Sequence, residues 1–232
     1  MIVLTCKDSE TLRYGKVPVQ DEFSLEDRNL IIEWMCARTQ IPKIGDVYIA
    51  NLRGFEALGF KDKFSKLTGL DALQFGYCHG HNQKVNALEW HNGPEVIFAI
   101  TSCVLFLGLH SDMMIEENKL VYNTENLVAL KLEKGEMIML FDRTLHYAPV
   151  QEDHSGYMTM IILPKSTNEP LDEGIITSIN KEELITDTYL FMKNKWLLAH
   201  EESEELIDKG AQMGIRGINY DWSQVAAQSD NV

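Results

Sequence analysis

The chain has 232 residues and is 45% hydrophobic and 24% charged, which fits one large domain with a sizeable core and argues against disorder. Its formal net charge of −14 argues against a nucleic-acid partner, because binding a phosphate backbone needs a concentrated basic face. No apolar run approaches the length of a membrane span, so no membrane partner is expected.

The cysteines favour a reducing compartment. Cys6, Cys36, Cys78 and Cys103 have no CxxC spacing. The opening residues "MIVLTCKDSE" become charged too early for a signal peptide. We therefore expect a cytoplasmic protein with reduced thiols.

The N-terminal part, residues 1–44, mixes helix and loop. The stretch "FSLEDRNLIIEWMCART" predicts a helix with Ser24 as its N-cap, and Pro42 closes this segment. We expect it to be a helical extension outside the main part of the domain.

Short apolar or alternating runs fill residues 45–165. They are "DVYIANL", "ALQFGYC", "KVNALEWH", "EVIFAI", "CVLFLGL", "LVALKL", "EMIMLF", "LHYAPV" and "YMTMIIL". Turn signals such as "HNGP", "EKG" and "EDHSG" separate them. Many short strands at close spacing predict a sandwich or barrel, with helices only in the flanks.

The last part, residues 166–232, again indicates helix. We predict one helix in "KEELITDTYLFMKNKWLLAH" and a shorter one in "SEELIDKGAQMG", capped by Ser203 and ending near Gly210. Both flanks are expected to pack outside the β core, so that residues 1–232 form a single domain. Strand edges and apolar flanks are often covered by a second subunit, which favours a homodimer.

Three ionisable residues stand in the apolar stretch "ALEWHNGPEV". Side chains two apart in a strand share a face, so Glu89 and His91 point the same way. The turn "NGP" predicts that the strand opened by Glu95 pairs back on the first, which would cluster all three side chains. In "KGEMIMLFDRTLHYAPV", His146 follows a further strand and turn and offers one more ligand.

These stretches resemble the two motifs of the cupin superfamily. The first motif has two ligands one residue apart and then a glutamate, which Glu89, His91 and Glu95 match. The second has a glycine, a strand, a turn and a single histidine, which Gly135 and His146 match. The resemblance implies a cupin-type antiparallel β-barrel, a double-stranded β-helix, and makes Glu89, His91, Glu95 and His146 the expected metal ligands.

The sequence departs from the cupin pattern at three positions. Glu89 stands where most cupins have a first histidine, and Phe141 and Arg143 replace the usual proline and glycine of the second turn. The resemblance covers roughly residues 45–165.

A closer resemblance lies in "GYCHGHNQKVNALEWHNGPEV" and "FMKNKWLLAH". These stretches are similar to a group of bacterial cupins associated with sugar catabolism. The group is associated with isomerisation of sulfoquinovose to sulfofructose in the transaldolase route of sulfoglycolysis. The resemblance implies a sugar substrate, and an anionic one.

Other polar residues are candidates for contact with that substrate. His79 and His81 form a His-x-His pair in "CHGHN", outside the cupin ligand register. If the strands on either side pair through this turn, both histidines lie at one end of the barrel. Arg53, Lys61 and Arg143 are the candidate cations for an anionic group.

A set of histidines and carboxylates suits one divalent ion per chain, with Zn²⁺ or Mn²⁺ expected first and Fe²⁺ also possible. Such an ion stabilises the enediolate of an aldose–ketose isomerase, while a base moves the proton between neighbouring carbons. Glu89, Glu95 and His79 are the candidate catalytic groups. A lyase acting on a ureido or hydroxy acid, an Fe²⁺ dioxygenase and a metal-free sugar-binding cupin remain alternatives.

Overall fold

The computed structural model describes residues 1–172 and 185–229. The helices are α1 (Leu25–Cys36), α2 (Lys61–Thr68), α3 (Glu204–Asp208) and α4 (Trp222–Ser229). Short 3-10 turns occupy Ser9–Arg13, Phe55–Leu58, His110–Asp112, Thr124–Asn126 and Ile185–Tyr189.

Strands make up most of the described structure. The first eight are β1 (Ile2–Thr5), β2 (Gly15–Lys16), β3 (Asp46–Ile49), β4 (Leu73–Gly80), β5 (Ala87–His91), β6 (Glu95–Ala99), β7 (Cys103–Leu109) and β8 (Met114–Glu116). The next six are β9 (Lys119–Asn123), β10 (Val128–Leu132), β11 (Met137–Leu140), β12 (Thr144–Leu145), β13 (Val150–Gln151) and β14 (Tyr157–Pro164). The last three are β15 (Leu190–Met192), β16 (Lys195–His200) and β17 (Gln212–Arg216). Eight of the nine apolar runs include all or most of a strand, while "LHYAPV" holds only the end of β12 and the start of β13. The mainly β prediction is therefore confirmed.

The strand order is that of a cupin-type jelly roll. One sheet runs β11-β6-β14-β4, extended by β2 and β3 at its two ends. The facing strands are β10, β7, the β12–β13 segment and β5, with β5 joined through a bridge between Glu89 and His146. From β4 to β7 successive strands alternate between the two sheets, β7 and β10 pair within the second sheet, and the strands from β10 to β14 alternate again, as in a double Greek key.

The core lies between these sheets and on both outer faces. Ile97, Leu105, Leu130 and Ile161 meet between the sheets. Helices α1 and α2 cover the outside of the first sheet, and β9, β16, β17 and α4 cover the outside of the second. Because both faces of β6 and β14 are buried, these strands read as nearly continuous apolar runs.

The N-terminal helix is confirmed. Helix α1 begins after Ser24, whose hydroxyl accepts from the Asp27 backbone, while the Asp27 carboxylate accepts from the Ser24 backbone. This reciprocal pair satisfies two backbone donors that the first helical turn leaves free. The short helix predicted after Ser203 is also confirmed, as α3, and Gly210 follows it with a φ of 98°. The predicted cap is wrong, because the Ser203 hydroxyl makes no hydrogen bond to the helix and donates to the carbonyl oxygen of Asn86.

Two secondary-structure predictions are wrong. Helix α2 lies inside residues 45–165, so helices are not confined to the flanks. The segment predicted as helix through "FMKNKWLLAH" instead forms β15 and β16, an antiparallel hairpin with Asn194 in its turn at a φ of 57°. Its apolar side chains pack against the barrel, which outweighs their helix propensity. Residues 181–184 of that prediction lie outside the described residues.

Among the described helices, none has the length and apolar character that crossing a bilayer requires. The four cysteines are free thiols.

Candidate metal centre and cavity

Three side chains converge at the inner end of a cavity in the barrel. His91 Nε2 lies 2.8 Å from Glu95 Oε2, and His146 Nε2 lies 3.0 Å from the same oxygen. All three residues are buried, and one ligand atom from each lies within 4.8 Å of the other two. We call His91, Glu95 and His146 the triad.

The triad is assembled across the barrel rather than along a hairpin. Strand β5 ends at His91, and β6 begins at Glu95 after a turn in which Gly93 has a φ of 92°. The predicted pairing of these two strands is wrong, because β5 pairs with β16 and β6 pairs with β11 and β14. On β6, the side chains of Glu95 and Ile97 both point into the barrel. Glu95 therefore reaches the two histidines, which belong to the facing sheet.

Hydrogen bonds fix the orientation of both imidazoles. His91 Nδ1 lies 3.0 Å from the carbonyl oxygen of Gly93, and His146 Nδ1 lies 2.8 Å from that of Thr144. A carbonyl oxygen only accepts, so each Nδ1 carries the hydrogen and donates it. In its neutral form, each ring would therefore present the lone pair of Nε2 to the triad, as a metal-ligating histidine does.

The triad fits a divalent ion. Two ligand atoms about 2.1 Å from an ion lie about 3 Å apart at an octahedral angle and about 3.4 Å apart at a tetrahedral angle, so the separations of 2.8 and 3.0 Å would need only a small increase around an ion. Burial opposes the charged form of His146, but the Glu95 carboxylate outweighs it and raises the pKa of His146 to about 9. Burial likewise opposes ionisation of Glu95, yet both imidazoles hold its pKa below the usual range. The site thus favours positive charge at its centre.

Glu89 lies beside the triad and is paired with a lysine. Its Oε1 is 3.7 Å from His146 Nε2, while its Oε2 contacts the ammonium of Lys195. The side chains of Lys195 and Glu89 are 13% and 9% exposed, so the pair is nearly dry. Charges this poorly solvated depend on each other for stabilisation.

The cavity above the triad has a volume of about 1260 Å³. Its lining combines polar groups with apolar walls from both sheets and from the C-terminal segment. The polar members include Asp46, Tyr48, Asn82, Asn86, Glu89, Glu95, His146, Asn168, Lys195, Glu202, Ser203 and Lys209.

Tyr48 lines this cavity and makes two hydrogen bonds through its hydroxyl oxygen. Its hydroxyl oxygen is 3.2 Å from Asn168 Nδ2 and 3.4 Å from Gln74 Nε2, both of which can only donate. The hydroxyl hydrogen of Tyr48 therefore remains available to a further acceptor.

The structure does not bring His79 or His81 to the cavity. On strand β4, Cys78 lines the cavity, so the adjacent His79 points to the outer face of the sheet. There His79 Nε2 lies 3.0 Å from Thr39 Oγ1, and burial lowers its pKa to about 4. His81 Nε2 lies 2.9 Å from the carbonyl oxygen of Pro42.

The three predicted cations are also outside the lining. Arg53 and Lys61 are exposed on the segment before β4. Arg143 is exposed in the turn before β12 at a φ of 61°, and its guanidinium lies 3.4 Å from Asn92 Oδ1. Its backbone N–H donates to the carbonyl oxygen of His91, but its side chain does not line the cavity.

Sequence reasoning missed Lys195 and Tyr48. Lys195 was hidden by the helix prediction, although "LFMKNKWLLA" carries the signal of a two-residue hairpin turn with Asn194 at its second position. Tyr48 lies on an edge strand with no motif around it, so only the tertiary fold identifies it.

Strand order and buried triad together define a cupin-type protein with a site capable of binding a metal. The chain belongs to the family described as a domain of unknown function, DUF4867, whose profile matches residues 3–220. No curated protein matches the sequence.

Several solved structures are similar to parts of the chain. The α-ketoglutarate-dependent non-heme epimerase SnoN of nogalamycin biosynthesis shares 13% identity over 66% of this chain and 80% of its own, with a TM-score of 0.43. An oxalate decarboxylase of Bacillus subtilis shares 10% identity over 56% of this chain, with a TM-score of 0.33. The match spans 28% of the decarboxylase, less than a third of its length. Both TM-scores are low, so the fold assignment comes from the strand order.

Proposed function

We propose that this protein is a divalent-metal-dependent aldose–ketose isomerase that acts on a sugar in the cytoplasm. The proposal depends on one observation: a second buried carboxylate, Glu89, lies beside the triad on the wall of the same cavity. Proton transfer between neighbouring carbons needs a carboxylate or similar base next to the site that stabilises the developing negative charge.

The residues divide the chemistry among them. His91, Glu95 and His146 would hold the ion, and Zn²⁺ or Mn²⁺ suits this donor set. When bound, a divalent ion supplies positive charge that polarises a carbonyl and stabilises negative charge on its oxygen.

Glu89 is the carboxylate that takes the proton from the carbon next to the sugar carbonyl and returns it to the carbonyl carbon. The hydroxyl hydrogen moves from one oxygen to its neighbour in the same interval, so atoms and charge balance. Tyr48 donates its free hydrogen to a sugar oxygen and orients the chain.

Two substrate classes fit this proposal differently. The sequence resemblance favours an anionic sugar, with sulfoquinovose converted to sulfofructose. However, the described lining residues carry more carboxylates than ammonium groups: Asp46, Glu89, Glu95, Glu202, Glu204 and Glu205 against Lys195 and Lys209. Lys195 pairs with Glu89 and Lys209 with Glu205. This acidic balance favours a neutral aldose such as lyxose or mannose as the second candidate.

A substrate panel separates these possibilities. The purified protein, loaded with Mn²⁺ or Zn²⁺, is incubated with sulfoquinovose, glucose 6-phosphate, glucuronate, lyxose and mannose, and carbon-13 NMR follows conversion of aldose to ketose. Solvent deuterium entering C1 or C2 would support proton transfer through an enediol. Conversion of neutral sugars alone would remove the anionic substrate and keep the isomerase. Absence of conversion for all five, in protein with stoichiometric metal, would contradict the proposal.

A further inference from the structure

We propose that Lys195 is a positioning residue that holds Glu89 out of the metal's ligand set and keeps its carboxylate facing the cavity. The ion is then held by three protein residues, His91, Glu95 and His146. The link to catalysis rests on the proposed function, whereas the ligand count does not.

The first support is the arrangement of the two carboxylates. Glu95 places one oxygen 2.8 Å from His91 Nε2 and 3.0 Å from His146 Nε2, between the two imidazoles. Glu89 approaches His146 Nε2 only to 3.7 Å, and its other oxygen is engaged by the Lys195 ammonium. Glu95 therefore occupies the centre of the site, and Glu89 lies at its side.

The second support is the strand register. Strand β16 pairs antiparallel with β5, with Lys195 opposite His91 and Leu197 opposite Glu89. Opposite residues share a face, so Lys195 lies diagonally across from Glu89, within reach of a long side chain. The adjoining turns are tied together, because Asn92 N–H donates to Asn194 Oδ1 and Asn194 Nδ2 donates to the carbonyl oxygen of Asn92. The C-terminal strand thus places its lysine at a fixed position.

The third support is the balance of charge. A divalent ion balances the carboxylates of Glu89 and Glu95, and the Lys195 ammonium leaves one positive charge in excess. A buried site with that excess stabilises one negative charge developing on a bound substrate. Without Lys195, the Glu89 carboxylate would be buried beside the ion with no other partner at its outer oxygen, and coordination would be its natural outcome.

This arrangement accounts for the departure at the first motif position. At the position where most cupins have a histidine ligand, this chain has Glu89. Its partner Lys195 lies on β16, which is not one of the eight strands of the jelly roll. Lys195 keeps the Glu89 carboxylate free of the ion, and Glu89 is the group that Lys195 positions, so each residue depends on the other.

The test uses Co²⁺ bound to the full-length protein, since its visible absorption reports the number and type of ligands. The variants are Glu89→Gln, Lys195→Met, Lys195→Arg and the double variant Lys195→Met/Glu89→Gln. Lys209→Met is the matched control, because Lys209 also lines the cavity but pairs with the exposed Glu205.

The expected spectra follow from the geometry. Glu89→Gln should keep the wild-type spectrum and Co²⁺ affinity, because Glu89 is not a ligand. Lys195→Met should change the spectrum as the released carboxylate joins the ion, and the double variant should restore it. Lys195→Arg and Lys209→Met should resemble wild type.

Activity gives a separate comparison once a substrate is known. Glu89→Gln should then lower kcat by about 10²–10⁴-fold with the metal retained. Lys195→Met should lower kcat by about 10²-fold, and Lys195→Arg should recover part of it.

A spectrum altered by Glu89→Gln alone would show that Glu89 is a ligand and overturn the inference. So would an unchanged spectrum in Lys195→Met that retains the native fold. The spectra are recorded without substrate, so they test the ligand set alone. If the proposed function is wrong, the spectra would still be as expected and no sugar would be converted.

Discussion

The ammonium of Lys195 contacts the carboxylate of Glu89 at the wall of the cavity, from a strand that follows the jelly roll in sequence. Both side chains are almost excluded from water, at 13% and 9% exposure. The C-terminal segment therefore takes part in the site as well as covering the barrel.

Removing the lysine should destabilise the metal-free protein. In Lys195→Met the carboxylate of Glu89 loses its partner while it stays buried, which costs about 3–5 kcal/mol for a buried pair. We expect the lower end of that range, because both side chains line the cavity and keep a small exposed fraction. Urea unfolding of metal-free wild type and variant measures the difference.

The double variant Lys195→Met/Glu89→Gln is the matched comparison. It removes both charges, so it should recover most of the lost free energy of unfolding. Equal losses in the single and double variants would show that the pair contributes little and that Lys195 acts through packing of its stem.

Loss of a triad histidine should abolish metal binding. His91→Ala and His146→Ala each remove one of three ligand atoms, and the remaining two cannot hold a divalent ion firmly. At a metal concentration near 100 times its dissociation constant, wild type should gain about 2.7 kcal/mol of stability, which both variants should lose. Thermal unfolding with and without metal, together with elemental analysis, measures this.

The control for metal binding is His154→Ala, which changes an exposed histidine in the turn before β14. It should keep the full metal-induced rise in Tm. Stoichiometric metal and an unchanged rise in Tm in either triad variant would remove that residue from the ligand set.

Local patterns predicted the elements better than their pairing. The alternation around Glu89 and His91 identified the strand and the shared face, and the turn "NGP" identified the reversal. It did not show that β5 and β6 separate into different sheets, because that depends on contacts with β16, β11 and β14 far along the chain. The triad was predicted by ligand spacing even though the predicted pairing was wrong.

The predicted substrate-binding cations do not line the cavity, and local sequence could not have shown this. Arg53, Lys61 and Arg143 flank the site strands in sequence, but exposure of a long charged side chain is decided by the surrounding fold. Lys195, which does reach the cavity, lies in a segment whose apolar residues also suit a helix. Apart from the turn residue Asn194, packing against β5 is what distinguishes strand from helix there.

His79 should make the protein less stable as the pH falls. Burial lowers its pKa from 6.5 to about 4 in the folded chain, so between those values the unfolded chain binds a proton that the folded chain does not. The contribution of His79 to the free energy of unfolding is complete above pH 6.5 and decreases as the pH falls towards 4. Between pH 7 and pH 5 the loss from this residue is about 2 kcal/mol. Urea unfolding across this range measures it.

His79→Gln should flatten this part of the pH dependence, whatever its effect on stability at pH 7. His154→Gln serves as the matched control and should keep the wild-type slope, because His154 is exposed. An identical slope in wild type and His79→Gln would show that burial does not perturb this histidine.

We predict a homodimer formed through the edge of the first sheet. Strand β3 pairs with β4 on one side, and within the described residues its other edge has no strand beside it. Ile44 is 90% exposed and Ile49 is 39% exposed along this edge, an arrangement that invites a second copy. Light scattering at micromolar concentration should give twice the chain mass, and Ile44→Glu/Ile49→Lys should give a monomer. Ile218→Glu, at an isoleucine that is 61% exposed elsewhere, should remain dimeric. A monomeric wild type would refute the dimer, and a dimeric double variant would place the interface on another surface.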